Sequence, residues 1–418
     1  MQGKLNGKNM LLGVQHLFAM FGATVLVPAL TGLNPAVALL GAGVGTFIFH
    51  FITGRKVPVF LGSSFAFIGG IQLLMEYKTV DGVATFNKAN VPIVQGGIIC
   101  AGLVYFVLAA IVALLGTDRV KRYFPPIVTG PVIVVIGLTL SPTAIDMASG
   151  NWLIAIITLG VVICVNIFSK GFFKLVPILI GIFCGYIASI VYSLAVPGSS
   201  LIDFSAIAKA SWISPFWDFS GSFFTIPQFD LNAILLLAPI ALVTFMEHIG
   251  DITTNGMVVG KDFLKDPGLH KTLLGDGAAT AVAGLLGAPA NTTYSENTGV
   301  LAVTKVYDPF VLEIAAALAI ILGLFGKFGA VLQTIPTPVM GGVSILLFGM
   351  IASIGMRTIS EAELDFSKSR NLIIIALILV IGIGLSKGVQ IFGVTFSGLF
   401  LAVLIGAIAN RLIPNVTE

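Results

Sequence analysis

Charge is scarce in this 418-residue sequence: Asp, Glu, Lys and Arg together make up 10% of it. Cysteine is scarcer still. Cys100, Cys164 and Cys184 all lie in apolar runs without ligand spacing, so they read as small buried side chains and not as a metal site. No Walker sequence is present, which argues against an ATP-driven pump. There is no Ser/His/Asp order at usable spacing and no cofactor motif, so nothing supports an enzyme. Nothing points to nucleic acid either. A cleavable leader is also missing: the apolar run from Asn9 to Leu30 follows Lys4 and Lys8 but lacks a small-residue cleavage site, and it reads as a first span.

What the chain has in abundance is apolar surface, with 57% hydrophobic residues and a mean hydropathy of +1.04. Many spans of roughly 20 apolar residues require that much, and no soluble core does. Only helices or a closed barrel satisfy their backbone in lipid, and runs that are continuous, not alternating, favour helices. About seven segments occur per half. The first set lies near 9–30, 33–53, 56–71, 92–115, 125–145, 151–169 and 174–196. The second lies near 232–255, 270–287, 288–304, 308–327, 338–357, 370–386 and 392–412.

The halves repeat. Gln15-His16 matches Glu247-His248, 232 residues on. Ser63-Ser64-Phe65-Ala66-Phe67 matches Thr292-Thr293-Tyr294-Ser295-Glu296 at an offset of 229, and Phe124-Pro125-Pro126 matches Pro336-Thr337-Pro338 at 212. An odd number of spans per half sends the second repeat in from the opposite side. The expected fold is therefore an all-α polytopic membrane protein of about 14 transmembrane segments in two inverted seven-segment repeats. With the N-terminus inside, 17 of the 22 Lys and Arg fall on the inner side. Lys78, Lys88, Lys209, Lys327 and Lys387 fall outside, so the positive-inside rule places both termini in the cytoplasm. The loop from Pro197 to Leu231, with Trp212, Phe216 and Trp217, is expected at the outer interface.

The third and tenth segments, Val57 to Gly70 and Ala288 to Thr304, are short and interrupted by Pro, Gly, Ser and Asn. Broken segments at matching places point to a midplane site. There, half-helix starts offer free N–H groups and a positive dipole end. Ionisable residues at that depth are costly and mark function. Glu247 and Asp251, four apart, share a helical face and are candidates for binding or proton coupling. Glu296 stands in the broken tenth segment beside Tyr294 and Ser295. Phe65 and Tyr294 are two aromatics suited to a flat ring, and the carboxylates suit N–H donors. His16 reads first as a link between helices, and Asp276 equally as a proton-path residue or a helix tie. Glu313 is expected near water at the end of its span, and His50 and His270 at the interface.

At these residues a family becomes visible. The stretch from Glu296 to Lys305 resembles the signature of the nucleobase–ascorbate transporters, and Gln15-His16 resembles their first-span motif. The run from Leu61 to Ile68 is similar as well, and the resemblance covers nearly the whole chain. It implies a core domain (1–118 and 231–330) and a gate domain (119–230 and 331–418) that move relative to each other, in the bacterial cytoplasmic membrane and as a possible homodimer through the gate domain. It implies import of uracil, with the proton as coupling ion and no other cofactor. The substrate contacts it implies are Ala23, Ser64, Phe65, Glu247, Tyr294, Ser295 and Glu296. The proton-coupling set is Glu247, Asp251, His16 and Asp276, with no metal. Asp251 and Asp276 are similar to the purine branch, so a xanthine or uric acid symporter is the alternative. An anion exchanger or channel of similar architecture is the alternative of another class.

Overall fold

The computed structural model describes residues 3, 5–80, 83–196, 201–213, 225–391 and 393–414. Lys4, Phe216 and Trp217, singled out above, lie outside them. The first half runs α1 (Gly7–Thr31), α2 (Pro35–Ile52), β1 (Leu61–Ser63), a 3₁₀ turn (Phe65–Phe67) and α3 (Ile68–Leu74). The hairpin β2 (Lys78–Val80) and β3 (Val83–Thr85) precedes α4 (Val91–Leu115) and the short α5 (Thr117–Lys121). Then come α6 (Pro126–Thr139), α7 (Ser141–Ser149), α8 (Trp152–Phe168), α9 (Pro177–Ala195) and α10 (Ser205–Lys209).

The second half runs α11 (Leu231–Leu237), α12 (Ala241–Val259), α13 (Leu269–Leu286), β4 (Asn291–Thr293), α14 (Ser295–Thr304), α15 (Pro309–Leu324) and α16 (Gly326–Gln333). It closes with α17 (Thr337–Glu361), α18 (Ser369–Gly384), the hairpin β5 (Val389–Ile391) and β6 (Val394–Phe396), and α19 (Gly398–Leu412). Seven helical stretches among the described residues are long and apolar enough to cross a membrane, and shorter apolar helices supply further segments. The chain is a multi-pass, all-α membrane protein built as two inverted repeats.

Most expected segments are recovered within a few residues, with three exceptions. The segment expected near 232–255 is divided into α11 and α12 by a 3₁₀ turn, Ala238–Ile240. The segment expected near 125–145 is split at Leu140 between α6 and α7. The last one starts only at Gly398, because residues before it form the β5–β6 hairpin.

Packing sorts the helices into two groups. In one, α13 lies against α4 and α2, and α15 against α2 and α1. In the other, α17 lies against α6, α7 and α8, and α18 against α19 and α6. Small residues set the tightest crossings: Gly102 meets Gly277 in the first group, and Gly130 meets Gly355 in the second. Such pairs let backbones approach where lipid offers no hydrophobic drive between helices.

The broken segments meet at the centre. Strands β1 and β4 pair antiparallel, with Gly62 opposite Thr292. Just beyond the strands, the Ser64 N–H donates to Ala290 O at 2.8 Å and the Tyr294 N–H to Phe60 O at 2.9 Å. These two bonds map onto each other at an offset of 230, about a pseudo-two-fold axis through Gly62 and Thr292. The two half-helices start at matching places, Phe65 and Ser295. The sequence register of 229 is therefore wrong by one residue. Phe65 corresponds to Ser295 and not to Tyr294, and Glu296 corresponds to Ala66. The eye aligned aromatic with aromatic, whereas the hydrogen-bond ladder aligns cap with cap.

A further repeat emerges in the anchoring. The Leu61 N–H donates to Thr46 Oγ1 at 3.0 Å on α2, and the Thr280 hydroxyl of α13 donates to Asn291 O at 2.9 Å. Each strand is thus tied by a buried threonine to the helix before it, which satisfies backbone groups that lipid cannot.

The expectations for His50 and Glu313 are overturned. Both are buried. His50 Nε2 donates to Val59 O at 2.9 Å, and Glu313 takes Arg55 Nε at 2.8 Å and His50 Nδ1 at 3.4 Å. The extended stretch before β1 needs donors for its carbonyls, and this cluster supplies one from α2 while α15 balances its charge.

Gly62 has a specific reason to be glycine. A methyl there would overlap the ring of Tyr294 and crowd Thr24 Oγ1. Gly62→Ala is expected to cost about 1–3 kcal/mol of stability, read as a lower unfolding temperature in detergent. Gly69→Ala, which faces open space, should leave that temperature unchanged.

Candidate functional site

Helix α12 carries the acidic pair, and its neighbours show which way the face points. One turn after Glu247, Asp251 accepts from the Ser295 hydroxyl at 2.7 Å and from the Thr293 hydroxyl at 3.2 Å. One turn further, Asn255 Nδ2 donates to Pro58 O at 2.9 Å and to Thr298 Oγ1 at 3.1 Å. Residues four apart share a face, so Glu247, Asp251 and Asn255 form one stripe along the start of α14 and the stretch before β1. Glu247 is the member with no tie to a neighbouring element: its Oε2 is buried without a hydrogen-bond partner among the described residues, as is Asn255 Oδ1. Ser64 Oγ is buried in the same condition.

No side chain caps the helical start at Phe65 or at Ser295. The Glu296 N–H meets its own carboxylate, while no cap side chain takes the other first N–H groups, and both helix dipoles place their positive ends there. Glu296 stands in the first turn of α14. It lines a cavity of about 220 Å³ shared with Phe18, Ala19 and Gly22 of α1 and with Ile178 and Val343 of the second packing group. Phe65 lies on another side. It lines a recess of about 600 Å³ with Gly69, Tyr77 and Asp146, and its ring meets Phe348 of α17 edge-on, with centroids 6.4 Å apart. Two bonds cross this side: the Thr79 hydroxyl to Asp146 Oδ2 at 2.7 Å, and the Thr143 hydroxyl to Gln72 Oε1 at 3.4 Å.

The other expected residues lie around this centre. Tyr294 is buried, and its hydroxyl donates to Ser63 O at 2.8 Å. Its N–H is already taken by Phe60, so it braces the crossing. Ala23 packs in the buried cluster that holds Tyr294, Phe60 and Met20. His16 ties α1 to α14: Asn297 Nδ2 lies 3.2 Å from His16 Nδ1 and 3.0 Å from His16 O. Asp276 ties α13 to α12, its Oδ2 lying 2.8 Å from His248 Nδ1, while His248 Nε2 lies 2.9 Å from Thr272 Oγ1.

Sequence reading had passed over Asn255, Asn297, Thr24 and Thr272. The signal for Asn255 was its place four residues after Asp251, and for Asn297 its place beside Glu296.

Asp251 thus spends its oxygens on α14 and β4 and fixes how Glu296 is presented. In a double-mutant cycle of Asp251→Ala with Ser295→Ala, the unfolding free energies should couple by about 0.5–3 kcal/mol, the range from a neutral hydrogen bond to one with a charged acceptor. Additive effects would show that the bond contributes nothing.

Comparison with known proteins agrees with this architecture. Residues 7–391 match the Xan_ur_permease model, described as a permease family. The chain is 44% identical over 423 residues to a probable uracil permease of Haemophilus influenzae, covering 99% of this chain and 96% of that one. It is also 44% identical over 425 residues to the uracil permease of Bacillus caldolyticus, covering 98% and 93%. Among solved structures, it shares its fold with the transmembrane domain of a cyanobacterial bicarbonate transporter, BicA. The TM-score there is 0.62 at 15% identity, covering 98% of this chain and 99% of that one. The murine anion transporter Slc26a9 in its inward-facing state gives a TM-score of 0.68 at 10% identity, covering 98% and 69%. The chain accordingly belongs to this permease family, the nucleobase–ascorbate transporters, and is a membrane transporter and not an enzyme.

Proposed function

We propose that this protein imports uracil with a proton by alternating access. The observation that carries the reading is the unpartnered carboxylate oxygen of Glu247 beside two uncapped helix starts, in a chain 44% identical to uracil permeases. Uracil presents two N–H donors and two carbonyl acceptors on a flat ring. Ionised Glu296, and Glu247 through the oxygen left bare when it carries a proton, accept from the N–H groups, and backbone N–H groups near Phe65 and Ser295 donate to the carbonyls. The ring stacks on Phe65, and Ala23 and Ser64 shape the wall around it. A buried carboxylate without a partner is also the group best placed to take the coupled proton, which gives Glu247 both roles. His16, Asp251 and Asp276 act around it by holding α1, α12 and α13 in place.

The two packing groups serve as core (1–118 and 231–330) and gate (119–230 and 331–418), and their relative motion exposes the site to either side. Ser295 and Gly299 on α14, and Gly250, Thr253 and Thr254 on α12, form small or polar exposed faces. These faces run toward the helix ends that carry Lys261 and Lys305, the cytoplasmic side under the positive-inside rule. The Thr79–Asp146 and Thr143–Gln72 bonds tie the two packing groups on the opposite side. In this reading the transporter sits in a bacterial cytoplasmic membrane, with both termini inside and a homodimer formed through the gate. One proton crossing with the potential supplies about 2.3 kcal/mol per 100 mV, roughly fiftyfold accumulation of a neutral solute.

The test is uptake of labelled uracil into proteoliposomes with an imposed proton gradient. Wild type should accumulate uracil and lose accumulation with a protonophore. Glu296→Gln turns an acceptor partly into a donor and is expected to lower uptake at least tenfold. Glu247→Gln should abolish gradient-driven accumulation. Unlabelled uracil should compete better than xanthine. The reverse order would assign the protein to purines, and wild-type uptake by Glu296→Gln would remove that residue from the site.

A further inference from the structure

A strongly basic hollow lies far from the acidic centre, where α4 and α5 meet α18 and α19. Arg119, Arg122, Arg370 and Arg411 line a recess of about 570 Å³, together with Tyr123 and Asn410. No carboxylate lines it, and none of the four arginines is in an ion pair among the described residues. The other two arginines of the chain, Arg55 and Arg357, each have an acidic partner.

Arg370 is positioned by the end of α19. Its Nε donates to Ile413 O at 2.9 Å, and Nη2 donates to Asn410 O at 2.7 Å and Oδ1 at 2.8 Å. Its Nη1 reaches only Asn371 Oδ1 at 3.5 Å, so donors remain on an oriented guanidinium. Four like charges around one hollow repel unless an anion sits among them, and the planar guanidinium fork matches phosphate oxygens in pairs.

The surroundings of the recess select among anions. Leu114 and Leu412 beside it are 84% and 73% exposed, and Leu115 and Tyr123 are exposed as well. A site for a soluble anion has no use for an apolar rim, whereas acyl chains would lie along it. The arginines stand at span ends on the basic side of the molecule, where anionic headgroups attract Lys and Arg.

We propose that this recess binds the phosphate of an anionic phospholipid headgroup. Such a lipid would bridge α4 and α5 to α18 and α19, elements of the two packing groups. The site lies apart from Glu247, Glu296 and Phe65 and is independent of the uracil reading.

Native mass spectrometry of the full chain with phosphatidylglycerol or phosphatidylcholine tests this. Wild type should retain phosphatidylglycerol at saturation and favour it at least tenfold over phosphatidylcholine. The triple variant Arg119→Gln, Arg122→Gln, Arg411→Gln should lose that preference, with Arg370 kept because it holds a helix end. Arg119→Lys, Arg122→Lys, Arg411→Lys preserves charge while removing the fork, guards against a folding defect in the first variant, and should lose most of the preference. Equal retention of both lipids by wild type, or an undiminished preference in either variant, would overturn the proposal. Displacement of phosphatidylglycerol by inorganic phosphate at equal concentration would assign the recess to a soluble phosphate and overturn the lipid reading.

Discussion

The structure depends on one short antiparallel crossing in the middle of a bilayer-spanning bundle. Extended backbone at that depth exposes N–H and C=O groups that lipid cannot satisfy, and each unpaired group costs several kcal/mol. Strands β1 and β4 solve the problem for each other, and neither could exist without its partner. Thr46 and Thr280 then anchor the pair to α2 and α13, and Tyr294 locks it to Ser63. Only after these groups are satisfied are two helix starts free to point unspent donors at a third party.

The polar residues inside this bundle divide into those already paired and those not. Asp276 and His248, Asn297 and His16, and Asp251 and Ser295 each join two elements. Such ties are needed where apolar packing gives no preference between helix–helix and helix–lipid contact. Asp276 and Asn297 each keep one buried oxygen without a partner, as Glu247 does, but Glu247 has no such tie to a second element among the described residues.

Much of this was legible in the sequence. Hydrophobic runs of span length, the interrupted third and tenth segments, and the repeat followed from composition and spacing, because membrane thickness and backbone satisfaction leave few alternatives. The residues around the centre were also visible as ionisable groups at membrane depth. The register of the crossing was not. One position separates two plausible alignments, and only the hydrogen-bond ladder through Gly62 and Thr292 chooses between them. The burial of His50 and Glu313 was equally hidden: a charge near a span end reads as solvated unless its partner, here Arg55 from a distant loop, is seen beside it. The tie between Asp251 and Ser295 spans 44 residues, a distance at which no local pattern operates.

The two-fold axis through Gly62 and Thr292 also bears on directionality. The backbone donors on the two sides of that axis are related by symmetry, so the scaffold meets a solute in the same way from either face of the membrane. Inside and outside are not written into the crossing itself. The carboxylates that break the symmetry, Glu247 and Glu296, both come from the second half of the chain. A direction of transport would then have to come from the gradients across the membrane and not from the crossing.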